Sequence, residues 1–142
     1  MKLNVFVIIL ILSLLISCEK NKSSIGIETG STGNFTYQSY DSLGNLIVSG
    51  WFEIEFIDST QVEGSWHLNN LSNRKDIGLQ DGDGELIGTI ERSSIVINLN
   101  PQYADHNVYL NGTIKEDSIE GQWTWSTFIG PTNWGSFRAV KN

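Results

Sequence analysis

The sequence has 16 acidic residues but only two histidines and one cysteine, and these residue types form none of the common catalytic motifs. Glu53 and Glu55 share one face of a predicted strand about 6–7 Å apart, which suits glycosidase carboxylates but also any solvated strand. His67 and His106 belong to no His-x-His or His-Glu-x-x-His spacing, and the single cysteine provides no soft metal site. No Gly-x-Ser-x-Gly elbow is present. The sequence therefore predicts a protein that is not an enzyme and uses no metal or cofactor.

Composition and charge narrow the class of protein further. The 142 residues fit one domain, and 11% aromatic residues are too many for a disordered chain. The net charge of −7, with no basic patch, argues against a nucleic-acid partner. Fourteen glycines and two prolines suit short strands joined by tight turns.

Strict alternation marks the stretch from Ile119 to Trp125. Ile119, Gly121, Trp123 and Trp125 point to one side, as in a strand with one buried face. The phrase apolar-x-Gly-x-apolar recurs at Val48-Gly50-Phe52, Val62-Gly64-Trp66, Leu86-Gly88-Ile90 and Leu110-Gly112-Ile114. The pattern predicts several strands that share one core.

Eight strands can be placed along the chain, and most of the segments between them contain turn residues. They are predicted at 34–40, 46–57, 61–68, 85–92, 95–99, 107–115, 118–128 and 134–140. Sequential strands usually pair, and inward glycines favour a sheet that bends onto itself. We therefore expect an all-β fold, an eight-stranded antiparallel up-and-down β-barrel, with a β-sandwich as the alternative.

The Gly-x-Trp strands Gly64-Ser65-Trp66 and Gly121-Gln122-Trp123 are similar to those of the calycin group, which comprises lipocalins and avidins. This resemblance implies a small barrel of the kind that holds one ligand. No set of residues in this sequence maps onto a biotin site, so no binding residue is carried over.

Two interpretations of the aromatic residues remain open. Trp66, Trp123, Trp125 and Phe52 can wall a pocket for an apolar or aromatic small ligand, or they can fill the core outright. Where the long loops gather, further candidates for contact with a ligand are Arg74, Tyr103, His106, Phe128 and Trp134. In the second interpretation the barrel is solid and its loops bind a protein or a glycan.

The first eighteen residues resemble the export signal of bacterial lipoproteins. Lys2 precedes a short apolar run, and Leu15-Ile16-Ser17-Cys18 is similar to a lipobox. The resemblance implies cleavage before Cys18 and a lipid anchor on its sulfur, which would hold the protein to a membrane of the bacterial cell envelope, on the periplasmic side or at the cell surface. The expected organisation is a signal peptide at 1–17, the lipidated cysteine with a flexible tether at 18–33, and the barrel at 34–142.

Overall fold

The computed structural model describes residues 30–142. They form extended strands along which buried and exposed residues alternate. Eight strands follow one another: β1 (Thr32–Asp41), β2 (Leu46–Phe56), β3 (Gln61–Asn70), β4 (Gly82–Glu91), β5 (Ser94–Asn98), β6 (Asn107–Ile114), β7 (Ser118–Thr127) and β8 (Gly130–Lys141). Among these residues, no helix long and apolar enough to cross a membrane is found.

The strands form one closed antiparallel barrel in sequence order. Each pairs with the strand before and after it, and β1 closes the sheet by pairing with β8, with Thr36 opposite Val140 and Tyr37 opposite Ala139. The predicted up-and-down barrel is therefore confirmed, and the sandwich alternative is excluded because one continuous sheet has no second layer.

Strand β2 shows how the sequence directs side chains into or out of the barrel. Phe52, Ile54 and Phe56 are buried, whereas the alternating Trp51 and Glu53 face solvent. The same period of two runs through the other strands and yields one hydrophobic core on the barrel axis.

Inward glycines allow the strands to approach closely at sharp bends. A Cβ atom at Gly64 would lie 2.0 Å from the carbonyl oxygen of Glu53 on the neighbouring strand. A Cβ atom at Gly121 would lie equally close, at 2.0 Å, to the carbonyl oxygen of Asn111. The recurring glycine of the sequence phrase thus serves barrel closure.

The predicted strand boundaries need correction at two connections. Between β3 and β4 the loop is shorter than predicted, because β3 runs to Asn70 and β4 begins at Gly82. The second correction is at the connection between β7 and β8. Residues 129–133 were expected to form a loop, but the turn contains only Phe128 and Ile129, and β8 begins at Gly130. Pro131 lies opposite Ser126 beside a break in register, where its missing N–H is tolerated.

The two ends of the barrel differ in their connections. One end carries the connections 42–45, 71–81, 99–106 and 128–129, which include the two longest, and we call this end the mouth. The other end carries the short connections 57–60, 92–93 and 115–117. Strand β1 starts at Thr32, slightly before the predicted barrel boundary. The predicted signal peptide, Cys18 and most of the tether lie outside the described residues.

Candidate functional site

Trp123 is fixed inside the barrel by one direct hydrogen bond. Its side chain has no exposed surface, and its Nε1 donates to the carbonyl oxygen of Tyr40 at 2.8 Å. Gly135 leaves space for the ring, because a Cβ atom there would lie 2.7 Å from Nε1. The indole therefore has both its apolar surface and its polar atom satisfied by the protein.

Trp66 bridges the place where β4 and β5 part. The paired stretch of these strands ends at Ile87 and Asn98, so the earlier part of β4 has no partner on that side. There Trp66 Nε1 donates to the carbonyl oxygens of Leu99 at 2.8 Å and Glu85 at 3.1 Å. The indole N–H substitutes for the missing ladder bonds and links the two strands.

A second aromatic group lies next to these tryptophans. The ring centroid of Tyr37 is 4.4 Å from that of Phe52 and 6.0 Å from that of Phe137. All three rings are buried. The predicted inward residues Phe52, Trp66 and Trp123 are thus tightly packed core members in this conformation.

The barrel interior also contains buried polar atoms towards the mouth. The Tyr37 hydroxyl donates to Gln80 Oε1 at 3.2 Å, and the Ser39 hydroxyl lies 3.5 Å from the same oxygen. Gln80 Nε2 donates in turn to the carbonyl oxygen of Ile77 at 2.7 Å. Two hydroxyls therefore converge on one carboxamide oxygen, and all of these side chains are buried.

Burial strongly affects the Tyr37 phenol. Desolvation raises its pKa far above the usual value of about 10, while the hydrogen bond with Ser39 works in the opposite direction. The hydroxyl consequently stays protonated and remains a hydrogen-bond donor across the physiological pH range.

Gln80 and Ile77 belong to the connection between β3 and β4, residues 71–81, which we call the plug. It folds back over the mouth and inserts both side chains into the barrel, where they are almost inaccessible to solvent. A Cβ atom at Gly78 would lie 2.6 Å from both Trp125 Cδ1 and Val108 Cγ2. The plug therefore packs directly against the inner wall.

Side chains around the rim hold the plug in place. Arg74 forms two bonds to the Asp76 carboxylate, at 2.9 and 2.7 Å, and a longer one to Asp41 at 3.4 Å. Asn133 Nδ2 on β8 donates to the Asp76 carbonyl oxygen at 2.6 Å, and Asn100 Nδ2 donates to that of Leu79 at 3.3 Å.

These bonds also set the ionisation of the rim carboxylates. The Asp76 pKa is lowered mainly by hydrogen bonding to Arg74. The Asp41 pKa is lowered first by the backbone N–H of Asn45, then by the Asn45 side chain, with smaller effects from Leu43 and Arg74. Both groups are therefore held as carboxylates at neutral pH.

Two buried polar atoms at this end have no hydrogen-bond partner among residues 30–142. They are Trp125 Nε1 and Asn107 Oδ1. Trp125 is half-buried, packs against the core, and has its ring 5.9 Å from that of His106. An unsatisfied indole N–H next to the plug is a free donor for an incoming acceptor.

The structure distributes the predicted mouth residues over different surroundings. Arg74 lies in the plug and the His106 ring is tilted against that of Trp125, whereas Tyr103, Phe128 and Trp134 are exposed. Trp134 lies on the outer face, beside Leu43 in a surface groove. No three His, Cys, Asp or Glu side chains within the described region gather as metal ligands.

Sequence reasoning missed the buried polar group of Tyr37, Ser39 and Gln80. The first two share the inward parity of β1, which alternation could have revealed. Gln80 and Ile77 lie in a loop, where periodicity gives no signal for burial. Their role emerges only from the path of the plug over the mouth.

Comparison with known proteins supports the architecture. No protein-family model and no curated protein match the sequence. The crystal structure of a rhizavidin–biotin complex is similar, with a TM-score of 0.53 and 13% sequence identity, over 80% of this chain and 94% of that one. At this identity the likeness establishes the shared eight-stranded barrel.

Proposed function

We propose that this chain is a lipid-anchored protein of the bacterial cell envelope whose barrel binds one small ligand at the mouth. The anchor and location rest on the lipobox resemblance at Cys18. The ligand-binding role rests on the buried hydroxyls of Tyr37 and Ser39, which the plug covers through Gln80. Rhizavidin, in its complex with biotin, is a small-ligand binder with a similar barrel, which makes this role plausible for the fold.

The observation that carries the proposal is the position of the Gln80 carboxamide. Its oxygen lies near two buried hydroxyls, those of Tyr37 at 3.2 Å and Ser39 at 3.5 Å. Any ligand with a carbonyl-type oxygen and an apolar body can form the same bonds once Gln80 withdraws. The protein's own side chain would then occupy the binding site in the empty state.

The surroundings of this site match an apolar or aromatic ligand. Tyr37 packs on Phe52 and Phe137, and the free Trp125 Nε1 lies where the plug meets the wall. Withdrawal of the plug would expose these groups together. Ligand entry would therefore require the movement of residues 71–81 and leave the strands in place.

Tryptophan fluorescence of the whole protein, titrated with lipids and small aromatic amides, tests the proposal. We expect saturable quenching or a blue shift.

Tyr37→Phe should weaken binding about tenfold by removing a buried donor. Gln80→Ala should strengthen binding, because it removes the carboxamide that competes with the ligand for the Tyr37 and Ser39 hydroxyls. Tyr40→Phe, which removes a part-buried hydroxyl bonded to Gln38, is the matched control. Spectra that respond to no compound, in wild type and Gln80→Ala alike, would contradict the proposal.

A second candidate function is that of a solid barrel whose loops bind a protein or a glycan. The observation in its favour is that Trp66 and Trp123 are fixed in a filled core while Phe128 and Trp134 are exposed. Chemical crosslinking in the envelope distinguishes the two functions. A partner captured through position 128 or 134, together with no ligand response, would favour the interaction protein. Neither candidate gives the protein a catalytic role.

A further inference from the structure

At the mouth end, the hairpin formed by β7 and β8 extends beyond the neighbouring strand β1. The last residue pair between β1 and β8 is Asp41 with Gly135, and β8 extends beyond it to Gly130, about 16 Å further along the strand. The turn consists of Phe128 and Ile129, which are 84% and 91% exposed. The tip of this hairpin is thus entirely apolar.

The neighbouring turn between β1 and β2 adds to this surface. Its Leu43 is 85% exposed, and it lines the same groove as the outward-facing Trp134. Large apolar side chains with this much exposure at the tips of two adjacent hairpins suggest a contact surface.

The hairpin carries no charge. From Gly121 to Phe137 the sequence has no Asp, Glu, Lys, Arg or His, although charged residues make up 18% of the chain. Charge begins again only at Glu120 and Arg138, which bond to each other at 2.9 Å further down the barrel wall. A hairpin without charge has little to offer an ionic partner, and its tip loses no ion hydration on entering an apolar phase. The rim carboxylates Asp41 and Asp76 are both paired with Arg74.

Several polar groups of the hairpin are satisfied within it. The bonds are Thr132 Oγ1 to Trp125 O at 3.0 Å, Thr127 Oγ1 to Gly130 O at 3.5 Å, and Trp134 N to Asn133 Oδ1 at 2.9 Å. Pro131 has no N–H to satisfy. These bonds lower the cost of placing the hairpin tip against hydrocarbon, because each satisfied polar group needs no water there.

We propose that the β7–β8 hairpin is a membrane-contact element. Phe128 and Ile129 enter the acyl region of a bilayer, and Trp134 lies at the level of the headgroups, where aromatic rings concentrate. Since the protein has a net charge of −7, the bilayer it fits is one with neutral rather than anionic headgroups.

The chain that precedes the barrel is long enough for this contact. Residues 19–31 can span at most about 45 Å when extended, whereas the barrel is about 25–30 Å tall. A protein anchored at Cys18 can therefore bring its mouth end to the same membrane, although β1 begins at the opposite end. The hairpin would provide a second, reversible contact besides the anchor.

A fluorescent label on the hairpin tip of the full chain tests this contact. In a Cys18→Ser background, Ile129→Cys takes a nitrobenzoxadiazole label, and the protein is added to phosphatidylcholine vesicles. We expect a blue shift, quenching by doxyl groups on the acyl chains, and about fivefold protection from aqueous iodide. Phe128→Ser should reduce all three effects.

The matched control is the same label at Ile87→Cys, a half-exposed site on the outer wall of β4. That label should remain fully accessible to iodide. A tip label as accessible as this control would overturn the proposal, and so would protection that appears only when a protein partner is added. A signal that requires anionic lipid and disappears in salt would also overturn it, because apolar insertion depends on neither. Unchanged near-ultraviolet circular dichroism verifies that each variant is folded.

Discussion

The Gln80 carboxamide oxygen lies 3.2 Å from the Tyr37 hydroxyl, although these residues are 43 positions apart and one of them belongs to a loop. This contact joins the plug to the inner wall of the barrel. It makes the closed mouth part of the folded core, and it gives the first prediction.

Tyr37→Phe should lower the free energy of unfolding by about 1 kcal/mol, because it removes a buried hydrogen bond and leaves the ring in place. Urea denaturation measures the change. The control is Tyr40→Phe, whose hydroxyl bonds to Gln38 at 3.0 Å in a part-buried position and should matter less. Equal effects of the two substitutions would contradict a special role for the buried site.

Gln80→Ala should loosen the plug while the strands stay folded. It leaves the Tyr37 and Ser39 hydroxyls buried without their acceptor, at a cost of about 1–3 kcal/mol. Trypsin cleavage after Arg74 or Lys75 should then become about tenfold faster, because the open form is more populated. Cleavage after Arg92 provides an internal reference, and Gln38→Ala on the outer side of β1 is the matched variant. Acceleration at all sites alike would indicate global unfolding instead.

Trp66→Phe should destabilise the barrel by about 2–3 kcal/mol, since it removes both the indole volume and the N–H that joins Glu85 and Leu99. Trp51→Phe is the control on the outer face, where the ring is exposed and stacks on His67 at 6.1 Å. That change should stay within about 0.5 kcal/mol. Thermal or urea unfolding compares the two variants, and similar losses would refute the role of Trp66 as a link between β4 and β5.

Acid should remove a contribution that Asp41 makes to stability. Its pKa is lowered in the folded protein, chiefly by the Asn45 backbone N–H, so the stabilisation is present above the unfolded pKa of about 3.9. It is lost as the pH falls through the lower, folded value. The difference in urea midpoint between wild type and Asp41→Asn should be largest near neutral pH and shrink below about pH 4. A difference that does not change with pH would show that the carboxylate charge is unimportant.

Much of the fold could be predicted from period-two alternation. The repeated phrase around Gly64 and Gly121 indicated both the buried face and the bending of the sheet, and the closed barrel confirms this. The β7–β8 connection was misplaced because Gly130-Pro131 has the composition of a loop. A register break at Ser126 nevertheless accommodates Pro131 inside a strand.

The interior of the site could not be predicted in the same way. The inward direction of Trp123 follows from alternation, but whether the rings around it leave space depends on the plug. Ile77 and Gln80 enter the barrel through a loop, and their burial depends on tertiary contacts with Tyr37, Ser39 and the rim. Those contacts have no sequence period, so only the structure reveals them.

The closure of the sheet between its first and last strands has a consequence for how the protein is made. The final residue, Asn142, donates its N–H to the carbonyl oxygen of Asn34 at 2.9 Å and accepts a bond from the Thr36 hydroxyl at 2.7 Å. A growing chain therefore cannot complete the barrel until its C-terminal strand is available. Pairing between residues as far apart as Thr36 and Asn142 is slow to form, so the closure of the barrel by β1 and β8 follows the pairing of sequential strands.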